Sequence, residues 1–197
     1  MERRPGGRSA RVGDAVRQAT LAELAEHGYQ GLTVDNVAER SGVHKTTVYR
    51  RWGSTAGLIR EALQQAEAEA WPVPDTGDVR GDLRALTRLV QEGFADPELG
   101  PVSTAFVAAA VQDQEAARAL HAFYVSRHAQ SAGLVRRAVA RGELPEDVDP
   151  EEVIRFAVAP IFYRLFVTYE PVTAADAERA ADAALAAARS GALGGTS

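Results

Sequence analysis

The stretch TVDNVAERSGVHKTTVYRRW, from Thr33 to Trp52, decides the fold because it contains two short helical patterns separated by a very tight turn. Thr33 can cap the first helix by accepting a hydrogen bond from an N–H of the first turn. Gly42 can adopt the positive φ that ends a helix sharply. Val48 and Trp52 lie four residues apart and therefore share one face of the second helix. This spacing predicts a helix-turn-helix.

The opposite face of the second helix is rich in hydrogen-bond donors. A helix with one apolar face and an opposite face rich in donors suits the DNA major groove, which is lined with phosphates and base edges. The predicted phosphate contacts are Thr33, Thr47, Tyr49, Arg50 and Arg51. Lys45, the only lysine in the chain, and Thr46 are the predicted base contacts. His44, which opens the helix that carries them, is a predicted DNA-binding residue as well. The alternative is a helical hairpin inside an all-α enzyme, with a basic face that is merely solvated.

The charge of the chain is divided unevenly along its length. The 197 residues carry a net charge of −5, which taken alone argues against a nucleic-acid partner. Residues 1–60, however, hold ten Lys and Arg against six Asp and Glu, a net +4, and residues 61–197 hold twelve against twenty-one, a net −9. The positive part coincides with the predicted helix-turn-helix, and phosphate neutralisation supplies most non-specific DNA affinity.

The composition favours a cytoplasmic globular protein. Hydrophobic residues make up 46% and charged residues 25% of the chain, and there is no cysteine. We find no run of 18 apolar residues and no apolar segment of the kind a secretory signal needs, so we expect no membrane partner. His121 and His128 lie seven residues apart on one predicted helical face, but surface or core-edge histidines explain them better than a metal site. We predict no cofactor, no metal and no catalytic residues, because no phosphate loop, nucleophile elbow or zinc motif occurs.

Helical patterns continue to the end of the chain and predict an all-α fold, in which a three-helix DNA-binding unit precedes a helical bundle. The predicted segments are a flexible basic arm (1–8), the helix-turn-helix domain (9–53), a connecting helix (54–71), a regulatory domain (72–190) and a disordered tail (191–197). Pro160 should kink the apolar helix that contains it or lift one of its turns. The last helix carries ten alanines between Ala174 and Ala188.

Residues from about Arg11 to Leu63 resemble the DNA-binding domain of the TetR (tetracycline-repressor) family of bacterial regulators. The matching motifs are Gly28-Tyr29, Leu32-Thr33-Val34, Val37-Ala38, Gly42-Val43, Thr47-Val48-Tyr49, Trp52 and Leu58. Three positions depart from the family pattern: Ser41 replaces a usual Ala, His44 replaces a common capping Ser, and Thr55 replaces a frequent phosphate-binding Lys. The resemblance implies a double-stranded DNA operator as partner.

The resemblance also implies a homodimer and a small-molecule effector. An apolar helix followed by a small-residue helix suits a four-helix dimer interface, and family members dimerise through such a pair. Family members bind an inducer in the C-terminal body, and helical bundles bind ligands between aromatic side chains. The candidate ligand-binding residues are Phe94, Phe106, Phe123, Tyr124, Arg127, Phe162, Tyr163 and Phe166.

These features favour a dimeric repressor that an effector releases from its operator. Two alternatives stay open from the sequence. One is a constitutive or non-specific DNA-binding protein without an effector, and the other is an all-α enzyme with a basic N-terminal domain.

Overall fold

A computed structural model of the chain describes residues 7–195, and over this range the fold is all-α, as the sequence predicts. Helices α1 to α4 are Arg8–Gly31, Val34–Ser41, Lys45–Trp52 and Thr55–Ala68. Helices α5 to α9 are Val79–Ala95, Leu99–Gln112, Gln114–Ala140, Pro150–Tyr163 and Ala174–Arg189. A π-helical segment, Arg164–Thr168, follows α8 directly. Most of the predicted basic arm, residues 1–6, lies outside the described residues.

Short polar side chains begin most of these helices. Thr33 accepts from the N–H of Asn36 at 3.1 Å, and Ser54 accepts from the N–H of Gly57 at 3.1 Å. Asp149 accepts from two first-turn N–H groups of α8, which also has Pro150 as its first residue. Thr173 forms a reciprocal capping box with Asp176 at the start of α9. Each cap satisfies N–H groups that the helix itself leaves without a partner.

The described residues pack as two compact units. The first comprises the residues up to Glu69 together with Asp96–Phe123. Its apolar core joins residues of α1 to α4 to three small residues of α6 and α7, namely Ala105, Ala109 and Ala116. Residues 96–123 therefore group with the helix-turn-helix here, whereas the sequence-based division places them in the regulatory segment 72–190. That functional division stays a prediction.

The second unit comprises Ala70–Ala95 and the chain from Tyr124 onward. Its core is formed by the apolar faces of α5, α8 and α9 and the C-terminal part of α7. The largest fully buried side chains there are Leu83, Leu86, Leu134, Ile154 and Leu185. Arg84 links α5 to α9, because its Nε and Nη2 donate to the Asp182 carboxylate at 3.1 and 2.6 Å.

Pro160 lies inside α8, and the kink or lifted turn predicted there stays a prediction. Pro160 has no N–H and cannot donate to the preceding turn. The chain stays helical through Tyr163 and then widens into the π-helical segment. That segment ends at Tyr169, a non-glycine residue with φ of 54° that is 84% exposed.

The C-terminal tail, predicted to be disordered over 191–197, is ordered as far as Gly195. Leu193 is 7% exposed and belongs to the core of the second unit. The N–H of Asp149 donates to the Leu193 carbonyl at 2.8 Å, and the N–H of Gly195 donates to the Asp147 carbonyl at 2.8 Å. The buried Leu193 and these two hydrogen bonds hold the segment in place. Its glycine-rich composition had favoured disorder. Residues 196–197 lie outside the described residues.

Candidate nucleic-acid interface

Helices α2 and α3 form the predicted helix-turn-helix. Gly42 adopts φ of 66° and ends α2, as its position between the two helical patterns predicts. Val37 and Val48 are completely buried between the helices, and Trp52 is 5% exposed. Because these apolar side chains fill the angle between α2 and α3, the outer face of α3 has a fixed direction.

His44 caps α3 in place of the serine that is common at this position in the TetR family. Its Nδ1 accepts from the N–H of Thr46 at 3.4 Å and lies 2.8 Å from the Thr46 hydroxyl. The imidazole therefore supplies the acceptor that a serine hydroxyl would provide.

The outer face of α3 carries the predicted DNA contacts. Lys45, Thr46, Tyr49, Arg50 and Arg51 are exposed, and Thr47 is half-buried. Thr33, at the start of α2, is exposed as well. The structure thus brings the eight predicted residues to one exposed region of the first unit, while their contacts with DNA stay a prediction.

Lys45 and Tyr49 share one carboxylate. The Lys45 Nζ donates to Asp35 Oδ2 at 2.5 Å, and the Tyr49 hydroxyl donates to Asp35 Oδ1 at 3.2 Å. The Lys45 Nζ also lies 5.7 Å from the centroid of the Tyr49 ring. The hydrogen bond from Lys45 lowers the pKa of Asp35 and raises the pKa of Lys45. Asp35 was not predicted to belong to this site, and its position in the first turn of α2 is the only local signal that it faces the start of α3.

The two arginines of α3 have different surroundings. Arg51 donates from Nη1 to the Ser9 carbonyl at 3.0 Å, and its guanidinium lies 4.7 Å from the centroid of the Trp52 ring. Its Nη2 is 3.8 Å from a carboxylate oxygen of Glu61. Arg50 is exposed and has no ion pair or hydrogen bond within the described part of the chain. Arg50 is consequently better placed than Arg51 to reach a phosphate.

A buried carboxylate braces the helix-turn-helix from behind. Glu23 of α1 is 4% exposed, and its Oε1 accepts from Arg40 Nε of α2 at 2.6 Å. The same guanidinium donates from Nη1 to Glu26 at 2.8 Å, which lowers the pKa of Glu26. A guanidinium fork between two carboxylates has little freedom to rotate. It therefore holds α2 in place against α1.

The start of α4 supplies no charge to this region. Thr55, which stands where the family often has a phosphate-binding lysine, is half-buried in the first turn of α4. Its short neutral side chain cannot replace a lysine as a cationic contact.

Four of the predicted ligand-binding residues form an aromatic cluster in the second unit. Phe162 packs edge-on against Phe94 at 5.3 Å and against Tyr124 at 5.5 Å between ring centroids. Phe166 lies 5.5 Å from Phe94, and the His128 ring is stacked 6.0 Å from Tyr124. Burial raises the pKa of Tyr124 and is the main cause that lowers the pKa of His128. His128 was not predicted, although it follows Tyr124 by one helical turn and so shares its face.

The other four candidates lie elsewhere. Arg127 is 9% exposed, and its guanidinium stacks 4.9 Å from the centroid of the Trp71 ring. Tyr163 is 57% exposed and lines an open groove of about 470 Å³ along the outside of α8. Phe106 and Phe123 pack against the core of the first unit. Tyr163 therefore lies outside the aromatic cluster, and Phe106 and Phe123 belong to the first unit.

The outer faces of α8 and α9 carry several apolar side chains together with two exposed arginines, Arg155 and Arg179. On α8 the exposed residues include Phe156 at 44%, Tyr163 at 57% and, in the π-helical segment, Val167 at 60%. On α9 the exposed residues include Ala175, Ala183 and Ala186, and Arg179 lies between Ala175 and Ala183 on the same face. Ala181, in contrast, is 1% exposed and belongs to the core of its own unit.

Residues 7–195 contain neither a membrane-spanning helix nor a metal-binding cluster. No helix there is long and apolar enough to cross a membrane. Nor does this part of the chain bring together three or more side chains that could hold a metal ion.

Comparisons with known proteins agree with the geometry. Residues 16–62 match the family described as bacterial regulatory proteins, tetR family, and residues 73–184 match the tetracyclin repressor-like C-terminal domain. The HTH-type transcriptional regulator YdeS of Bacillus subtilis is 33% identical over 160 residues, which cover 80% of each chain. The DNA-binding transcriptional repressor TetR of Mycobacteroides abscessus is 32% identical over 77% of this chain and 80% of its own. The crystal structure of the TetR family transcription regulator SCO0332 superposes with a TM-score of 0.70 at 31% identity, over 89% of this chain and 97% of the other.

Proposed function

Because the chain belongs to the TetR family of bacterial transcriptional regulators, we propose that it is a dimeric repressor that a small molecule releases from its operator. The observation that carries the proposal is the exposed donor face of α3, fixed on a helix-turn-helix by buried Val37 and Val48. An exposed helix of this kind can enter a major groove while its apolar back stays in the protein core.

Each subunit places α3 in the major groove of one half-site. Arg50, Thr47 and Thr33 contact phosphates, which set the position and orientation of the helix but carry no sequence information. Lys45 contacts a base edge, together with Thr46. The net charge of +4 over residues 1–60 favours DNA at this end of the chain, whereas the net −9 of the remainder disfavours it elsewhere.

Dimerisation uses the outer faces of α8 and α9. Monomeric proteins seldom expose several large apolar side chains close together, and such groups usually mark an interface. Phe156, Tyr163 and Val167 supply large apolar area on α8, while the exposed alanines of α9 allow a second copy to approach closely. A two-fold axis that brings two such helix pairs together creates a four-helix interface.

The effector binds at the aromatic cluster formed by Phe94, Tyr124, His128, Phe162 and Phe166. Half-buried rings around a few polar groups are typical of small-molecule sites in helical bundles. The acidic composition of residues 61–197 favours neutral or cationic aromatic effectors over polyanions. Binding alters operator affinity if the two DNA-binding states of the dimer differ in their affinity for the effector.

A gel-shift titration with the DNA upstream of the protein's own gene tests the proposal. A repressor gives a discrete complex that excess random DNA does not remove and that weakens steeply with salt. A non-specific DNA-binding protein gives complexes that random DNA removes equally well. An enzyme with a merely basic surface gives no discrete complex, and either of these last two outcomes contradicts the proposed function.

A further inference from the structure

Asp35 occupies an unusual place for an acidic side chain, because it contacts two α3 residues, Lys45 and Tyr49, that the sequence predicts to contact DNA. One of its oxygens accepts from Lys45 Nζ at 2.5 Å and the other from the Tyr49 hydroxyl at 3.2 Å. Lys45 and Tyr49 are four residues apart, so they project from the same side of α3. Asp35 thus joins a base-contact candidate to a phosphate-contact candidate.

Folding does not require this arrangement. The side chains of Asp35 and Lys45 are 51% and 56% exposed, and exposed ion pairs contribute little to stability. The angle between α2 and α3 is already fixed by buried Val37 and Val48. The first turn of α2 is capped by Thr33 rather than by Asp35.

The arrangement does affect how Lys45 can meet DNA. An unpaired lysine is attracted to any nearby phosphate, because it is a flexible point charge. The Asp35 carboxylate balances the positive charge of the Lys45 ammonium and sets the direction of the Lys45 side chain. Phosphates repel the Asp35 carboxylate itself. The ammonium has three donors, so it can keep its bond to Asp35 and still donate to further acceptors. Guanine presents two such acceptors, O6 and N7, in the major groove.

Building on the proposed function, we infer that Asp35 is a specificity-determining residue that directs Lys45 toward a guanine edge and away from the phosphate backbone. Its removal increases affinity for random DNA, because Lys45 can then reach phosphates. It also weakens the preference for one base pair in each half-site.

The test compares two duplexes by fluorescence anisotropy with the full chain. One duplex is enriched from a randomised library by the wild-type protein, and the other is a scrambled sequence of the same base composition. Asp35→Asn keeps the shape of the side chain and removes its charge. Glu39→Gln is the matched control, because Glu39 is exposed on the same helix one turn later and has no ion pair within the described residues.

For Asp35→Asn, the ratio of affinities for the enriched and scrambled duplexes should fall by about tenfold, the order expected for loss of one base contact. For Glu39→Gln the ratio should not change, although both variants lose one negative charge. In a Lys45→Ala background the Asp35→Asn change should leave the ratio unaltered, since Asp35 acts through Lys45. A repeated library selection with Asp35→Asn should lose its preference at one base pair per half-site.

Three results would overturn the inference. The first is the same ratio for Asp35→Asn as for Glu39→Gln, which would make Asp35 an ordinary surface charge. The second is an undiminished effect of Asp35→Asn in the Lys45→Ala background, which would mean that Asp35 does not act through Lys45. The third is failure of the wild-type chain to enrich any sequence, which contradicts the proposed function itself. If thermal melting shows that Asp35→Asn is unfolded, Asp35→Ser is measured in its place against the same outcomes.

Discussion

Gly57 of α4 lies directly against the carbonyl oxygen of Trp52, the last residue of α3, and a Cβ added at Gly57 would stand 1.9 Å from that oxygen. The contact is between backbone atoms, so no side chain can rotate to make room. The position of α3 relative to α4 therefore depends on the missing side chain of Gly57, and the direction of the donor face depends on it too.

We expect Gly57→Ala to destabilise the protein by about 1–3 kcal/mol, the usual cost of overpacking, and to weaken DNA binding as α3 shifts. The matched control is Gly93→Ala in α5, where an added Cβ meets no atom within 4 Å. That change should stabilise the protein by up to about 1 kcal/mol, because alanine is the better helix former. Urea denaturation measures both, and a Gly57→Ala protein as stable as wild type would contradict the structural role.

Arg50 and Arg51 should respond differently to truncation. Arg50→Ala should lower the salt dependence of DNA binding by about one unit of slope without changing the melting temperature. Arg51→Ala should lower the melting temperature as well, because Arg51 ties α3 to Ser9 and packs on Trp52. Arg118→Ala, at an exposed arginine of α7, controls for net charge and should leave the slope unchanged. If the salt dependence of DNA binding has the same slope for Arg50→Ala and Arg118→Ala, Arg50 does not contact a phosphate.

Local signals explain why much of the fold follows from the sequence. Thr33, Ser54 and Asp149 act as caps within three residues of themselves, so neighbouring residues suffice to predict them. Gly42 is equally local, since it ends α2 through its own φ. The all-α class and the helix-turn-helix depend on such signals and on apolar periodicity.

Features that depend on residues far apart in the chain could not be predicted from the sequence. The ten alanines of α9 form no periodic pattern of large apolar residues. Nothing in the sequence therefore distinguishes buried Ala181 from exposed Ala183. The Lys45–Asp35 pair joins two helices across a turn and leaves no periodic signal. Leu193 looked like part of a glycine-rich tail because its packing partners lie in the core of the second unit.

Substitutions of Ala183 and Ala181 test the proposed dimer interface. Ala183→Glu places a charge on the exposed face of α9 and should convert dimers to monomers while the fold survives. Ala181→Glu buries an unpaired charge in the core of the subunit and should lower the stability of the fold itself. Ala129→Glu, at an exposed alanine of α7, should change neither property. Sedimentation equilibrium and thermal melting distinguish these outcomes, and a wild-type protein that is monomeric at micromolar concentration would contradict the proposed interface.

The effector site should be found by a thermal-shift screen of neutral and cationic aromatic compounds. A ligand at 100 times its Kd adds about 2.7 kcal/mol of stability, which raises the melting temperature measurably. Phe162→Leu should reduce that shift, because Phe162 contacts both Phe94 and Tyr124. Tyr163→Phe should leave it unchanged, because Tyr163 lies on the outside of α8. A ligand whose shift depends on Tyr163 and not on Phe162 would place the site in the outer groove instead.

Selection from a randomised duplex library shows whether two copies of the chain read DNA through α3. The full-length protein should enrich an inverted repeat, because a two-fold symmetric dimer reads two equivalent half-sites. The half-sites should contain a conserved guanine that Lys45→Ala no longer selects. Enrichment of no sequence, or of a single unrepeated site that Lys45→Ala selects equally well, would contradict recognition of DNA by a symmetric dimer through α3.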